Sequence, residues 1–159
     1  MTKAPKSKYG WHITNRKLKY GDDREIYEGE ALKVKGQPVV CSNGMHAEPL
    51  LNLCLYEWRQ RGKYICRVVV KSNLSNDYYW KNTRRICFWD KDNTCKFVGQ
   101  QRKVLAMVHK REFYAALMEL FNKYPNQVAL LREKEAIQVF KRAVELRDMI
   151  GLDYHKRKK

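Results

Sequence analysis

The chain has 159 residues, and its 33 Lys and Arg outnumber 17 Asp and Glu, leaving a formal charge of +16. That length suits one domain with decoration, and an apolar share of 44% is enough for a core, which excludes a wholly disordered chain. No stretch of about 18 apolar residues could span a bilayer, residues 1–8 lack an apolar leader core, and the five cysteines are odd in number and scattered, so a reduced, cytoplasmic protein is expected.

The charge is uneven. Residues 59–103 carry twelve Lys and Arg against three acids, a net of +9, and residues 1–8 and 151–159 add +3 each. A field of one sign this strong points to a polyanionic partner: nucleic acid, a nucleoprotein, or an acidic protein surface.

In chain order, residues 1–8 read as a basic arm. Tyr9-Gly10-Trp11-His12-Ile13-Thr14 reads as a first strand, 15–23 as a turn around Tyr20-Gly21-Asp22-Asp23, and 30–34 as a second strand. Residues 39–70 form the central unit. Val39-Val40 is strand-like, Asn43-Gly44 turns, and Pro49 opens a helix over 48–61 whose Leu50, Leu51, Cys54 and Leu55 share a face. A β-rich run over 64–70 follows. Residues 104–108 predict a buried strand. Residues 110–124 predict a helix with Phe113, Leu117, Leu120 and Phe121 on one stripe, stopped by Pro125. Residues 127–150 predict one long amphipathic helix with Leu130, Ile137, Phe140, Val144 and Met149 near one face, ended by Gly151. That helix reads first as packed on the domain, with dimerisation as its alternative use.

The expected fold is therefore α+β: a small twisted sheet with a short inserted helix, followed by two C-terminal helices. Its parts are a basic arm (1–8), a core domain (9–124), an amphipathic helix (126–150) and a basic tail (151–159).

The richest polar stretch is 73–95. Tyr78, Tyr79, Trp80, Phe88 and Trp89 interleave with Lys81, Arg84, Arg85 and Lys91, and stacking platforms beside cations are what a single nucleic-acid strand needs. The alternative is a hairpin whose aromatics turn into the core. The predicted nucleic-acid contacts are Arg59, Arg61, Lys63, Lys81, Arg84, Arg85, Arg102 and Lys103 for phosphates, with Tyr79, Trp80 and Trp89 for stacking. The arginines of the 73–95 stretch, Arg84 and Arg85, are costly to bury unpaired and are expected to face out.

Trp11-His12-Ile13, Leu18-Lys19-Tyr20-Gly21-Asp22, Cys41-Ser42-Asn43-Gly44-Met45-His46-Ala47 and Ile65-Cys66-Arg67-Val68 occur in that order. Together with Lys96-Phe97-Val98-Gly99 and Arg102-Lys103-Val104-Leu105-Ala106, they resemble an uncharacterised family of small phage and bacterial proteins, over about residues 9–120. That family carries Trp-His-Phe, Cys-x-x-Gly-Leu-His-Ala and Leu-Cys-Arg-Val blocks; here Met45 replaces its Leu, and the segment over 78–92 is longer and more basic. The resemblance implies a phage-like origin and no known activity. It marks Trp11, His12, Cys41, Gly44 and His46 as structural motif residues.

Cys41 and His46 invite a zinc reading, but no second ligand pair accompanies them, so no metal is assigned. No third group marks them as nucleophile and base, so no catalytic residue and no cofactor are assigned. The expected function is binding of nucleic acid or a nucleoprotein, as a phage-encoded modulator of a host or defence process. One alternative is a protein inhibitor that occupies a nucleic-acid-binding site by charge. Another is an enzyme that faintly resembles ADP-ribosyltransferases, from an early His12 and the later His46 and Tyr56; the strand over 104–108 lacks the late Glu that such a fold needs.

Overall fold

A computed structural model describes residues 3–15, 24–40, 43–58, 62–76, 78–80, 83–85 and 96–159. Its elements run β1 (Ser7–Thr14), β2 (Ala31–Lys33), β3 (Met45–Ala47), α1 (Leu51–Trp58), β4 (Tyr64–Lys71), β5 (Tyr78–Trp80), β6 (Thr83–Arg85), β7 (Phe97–Gly99), β8 (Gln101–His109), α2 (Lys110–Phe121), a 3₁₀ helix (Pro125–Leu130) and α3 (Glu133–Ile150). The fold is α+β. Four strands pair antiparallel in the order β1-β4-β8-β2. The β-branched run of β4 suits a central strand covered on both faces.

Period-two alternation sorts the side chains of this sheet. Trp11 and Ile13 of β1, Ile65 of β4 and Val108 of β8 point to one face, where Phe113 and Leu117 of α2 and Val139 and Phe140 of α3 cover them. Cys66, Val68 and Val70 point to the other, with Val104 and Met107 of β8. There a β3–β7 ribbon closes the core with Ala47 and Phe97. Cys54 and Cys66 are buried and pack as small hydrophobes. The ribbon comes so close that a Cβ on Gly10 would sit 2.7 Å from the Phe97 ring and 2.8 Å from the Glu48 carbonyl oxygen. Gly44, at φ 124°, turns the chain into β3 in a conformation that disfavours any side chain.

Several expected boundaries move. Helix α1 starts at Leu51, after Pro49, and is described to Trp58; residues 59–61 lie outside the described residues. Helix α2 stops at Phe121, because Asn122 takes the left-handed conformation and donates its N–H to the Met118 carbonyl. Pro125 instead opens the 3₁₀ helix. The long helix over 127–150 is two pieces. Leu131 is extended and buried, Arg132 is extended, and the Arg132 N–H reaches the Glu135 carboxylate at 3.0 Å to cap α3. Leu130 and Met149 are therefore exposed, and so is Leu120 of α2. The inward face of α3 is Ala136, Val139, Phe140 and Ala143, which are buried within the chain.

The basic tail is docked on the domain. Tyr154 Oη accepts from the His109 N–H at 2.7 Å and donates to Glu112, the His155 carbonyl accepts from the Glu28 N–H, and Arg157 forks onto Glu30 at 2.8 and 2.9 Å. Buried Arg147 ties α3 to the same region, donating to Glu28 Oε2 at 2.7 Å and the Met107 carbonyl at 2.6 Å.

Candidate nucleic-acid interface

The helices cover only part of their side of the sheet. Ladder register places Ser7, Lys71, Gln101 and Lys33 side by side across all four strands, on the same face as Trp11. The next row is Tyr9, Val69, Lys103 and Ala31. No described helix lies over these two rows. Lys33, Lys71 and Lys103 are exposed, and Tyr9 is 59% exposed. A bulge between Arg67 and Val68 leaves Leu105 as an extra, exposed residue between this area and the helices. Among the described residues, the exposed side chains Tyr9, Lys33, Lys71 and Lys103 surround Val69, which is 7% exposed.

The third row joins that surface to the core. Arg67 lies over the Trp11 ring at 4.5 Å and beside the Tyr9 ring at 5.8 Å. Its guanidinium sits 3.7 Å from Glu133. Burial lowers its pKa while Glu133 and Tyr9 hold the cation, so it remains charged. Glu133 serves three partners. It accepts from Trp11 Nε1 at 2.5 Å and from the Leu51 N–H at 3.0 Å, one of the orphan donors at the start of α1, and it faces Arg67. Next to this cluster runs a groove of about 470 Å³, with Trp11, Arg67 and Ala106 on the sheet side and Phe140 on the α3 side. Exposed Lys141 and Glu145 flank it.

The predicted contacts divide. Lys103 lies in the open area. Lys63 is exposed but stands beyond the opposite end of β4, where its carbonyl accepts from the Lys110 N–H. Arg102 is a correction. It shares its face with Val70 and Leu32, so it turns into the core beneath the ribbon, is 3% exposed, and donates to the His46 carbonyl at 2.7 Å. A surface of alternating Gln101, Arg102 and Lys103 cannot present all three to one partner. Tyr79, Trp80, Arg84 and Arg85 fall in a β5–β6 hairpin whose register sets Tyr79 opposite Arg84 and Trp80 opposite Thr83. Arg59, Arg61, Lys81, Trp89 and Cys41 lie outside the described residues. Tyr9, Lys33, Arg67 and Lys71 escaped the sequence reading; their signal was alternation with buried neighbours, in strands that read as core.

Trp11 is fully buried in the core, and Gly44 takes a positive φ at the turn into β3. His12 and His46 form a separate polar cluster on the ribbon side, with Arg102, Lys96 and Glu48; Lys96 lies 3.6 Å from Glu48. Burial is the main cause that lowers both imidazoles, helped by the charges of Arg102 and Lys96, and His46 falls to about 4. Both rings are neutral in the fold at pH 7. Above pH 6.5 they are neutral folded or unfolded and contribute no pH dependence. As pH falls from 6.5 towards 4, the unfolded chain takes up protons that the folded chain does not, so stability drops. His46 alone is expected to cost about 2 kcal/mol by pH 5. Melting curves from pH 7 to 5 check this, and a flat melting temperature over that range contradicts it.

No protein-family model matches the chain, nor does any curated protein or solved structure. No helix among the described residues is long and apolar enough to cross a membrane.

Proposed function

We propose that this protein binds a single nucleic-acid strand on the open half of its four-stranded sheet. The observation that carries the reading is the register that sets Tyr9, Arg67, Lys71, Lys103 and Lys33 on one face, with Tyr9, Lys33, Lys71 and Lys103 exposed. A flat face with an exposed ring lets an unpaired base stack, while lysines spread across the strands meet the phosphates on either side. The net charge of +16 supplies the long-range attraction. Exposed Lys3 and Lys6 precede β1 at this end of the sheet and extend the basic surface. The β5–β6 ladder sets Tyr79 opposite Arg84 in register. The phage-like motifs add a role as a modulator of a host or defence process.

The test is fluorescence anisotropy with a labelled single-stranded oligonucleotide over a salt series. Four phosphate contacts from Lys33, Arg67, Lys71 and Lys103 predict a slope of log affinity against log salt of about −3. Tyr9→Ala should weaken binding about 5- to 100-fold, the worth of one stacked base, with the slope unchanged. Full affinity in Tyr9→Ala, or a slope near zero in the parent protein, overturns the assignment of this face.

A further inference from the structure

Helix α3 commits one stripe of side chains to the core and turns the next towards a groove. Ala136, Val139, Phe140 and Ala143 are buried. Ile137, Lys141 and Val144, at helical spacing, line the groove of about 470 Å³ beside the sheet. Ala106 of β8 lines the facing wall, and buried Trp11 and Phe140 form the floor. Ile137, Val144 and Ala106 are only half-buried, so their apolar atoms stay within reach of a ligand. Small-molecule sites are of this kind, about 300 to 1,000 Å³ with apolar walls and a few placed polar groups.

The placed polar group is Arg67, whose side chain keeps 25% of its exposure. Its closest polar contacts are both made by Nη1, to the Glu133 carboxylate at 3.7 Å and the Gly10 carbonyl at 3.5 Å. Nε and Nη2 hold the remaining N–H donors, and neither makes a hydrogen bond among the described residues. The carboxylates of Glu133 and Glu145 balance the cations Arg67 and Lys141, so the groove has no net charge to draw in an anion. A neutral ring with acceptors on one edge suits it better. Guanine has adjacent acceptors, O6 and N7, that match a guanidinium fork. Its opposite edge carries N–H donors, and Glu145 Oε1 is an acceptor with no hydrogen bond among the described residues. An apolar side chain from a protein would cover the walls and leave the Arg67 donors unmet. The groove also adjoins the open face, because Arg67 lines it and lies 5.8 Å from the Tyr9 ring. We infer that this groove receives a guanine base from the strand lying across the sheet, with Arg67 as its reader. The inference rests on the nucleic-acid reading above and adds a base preference to it.

The experiment uses the full chain and labelled thymine strands carrying one central guanine, adenine or 7-deazaguanine, read by fluorescence anisotropy. The guanine strand should bind about 5- to 150-fold more tightly than the adenine strand, the worth of one bidentate contact. 7-Deazaguanine keeps the ring and O6 but lacks the N7 acceptor, so most of the preference should vanish without any change to the protein. Arg67→Lys keeps a cation and loses the fork, and should bring the guanine and adenine strands to within about twofold of each other. A purely structural Arg67 would lower the melting temperature in that variant and leave the preference in place. Val144→Phe should fill the groove and erase the preference by a second route. Tyr9→Ala should weaken both strands and keep their ratio. Equal binding of guanine and adenine strands by the parent protein, with the dependence on Tyr9 intact, overturns the groove and leaves the sheet reading standing. If no strand binds, the sheet reading falls and free guanosine decides the groove. Guanosine should then shift the Ile137 and Val144 methyl resonances where adenosine does not; methyls unmoved by guanosine overturn the inference.

Discussion

Replacing Trp11 with Ala should cost about 4 kcal/mol of folding stability and lower the melting temperature by roughly 10 °C or more. Trp11 is fully buried and packs edge-on against Phe140 at 5.1 Å between ring centres. Its removal leaves a cavity at the junction of β1 and α3, and large-to-small changes at such sites lose both the transfer energy and the packing around the void. The polar consequences add to this. Glu133 loses its indole donor at 2.5 Å, and Arg67 loses the ring beneath it. Trp11→Phe restores most of the volume and none of the N–H. It should recover about half the loss, the remainder being the hydrogen bond to a charged acceptor. Urea unfolding of both variants checks this, with a cycle against Glu133→Gln isolating the indole–carboxylate pair. A loss below about 1 kcal/mol in Trp11→Ala would show that the core does not depend on this junction.

Reversing the two central lysines of the open face, Lys71→Glu with Lys103→Glu, should lower single-strand affinity about 100-fold or more at low salt and flatten the salt slope by more than one unit. Both side chains are exposed, so the fold should survive within about 0.5 kcal/mol. Lys63→Glu is the control. It removes the same kind of charge from beyond the far end of β4 and should reduce affinity only through the weakened overall field. Equal losses in the two proteins would mean that charge acts without a defined surface. A larger loss in Lys63→Glu would shift the contact to the end of the sheet nearest α2.

The two faces of the sheet divide the basic residues in a way that explains the pH response and the binding surface together. Arg102 and Lys103 are neighbours in sequence, yet one faces His46 and the other faces solvent. A count of cations over 59–103 treats them alike. Stability should therefore fall with acid through the histidines of the ribbon side, while affinity follows salt through the lysines of the helix side.

Much of the fold was legible in the chain. Alternating or β-branched runs marked β1, β4 and β8, Ala31–Lys33 fell inside the expected second strand, and Phe113 with Leu117 marked the inner stripe of α2. Gly151 ends α3 as expected, at φ 78°. Less legible were breaks set by side-chain caps. Glu135 starts α3 by bonding back to the Arg132 N–H, and no apolar periodicity announces such a bond. The docking of the tail was not legible, because Lys156, Arg157, Lys158 and Lys159 dominate it; its anchors Tyr154 and His155 find partners in Glu112 and the segment around Glu28, far away in sequence.

The sequence by itself determined the fold class, the central strands and the excess of positive charge, because alternation and composition are local properties that survive without a partner. Only the tertiary structure decided which cations meet solvent. Alternation states that Arg102 and Lys103 face opposite ways but not which way is covered. That depended on the β3–β7 ribbon closing over one face, drawn within reach by Gly10. It depended equally on α2 and α3 stopping short of Tyr9, Lys71 and Lys103 on the other. Burial is a relation between distant segments, and a pattern within one strand records the two sides without naming the one that packing will take.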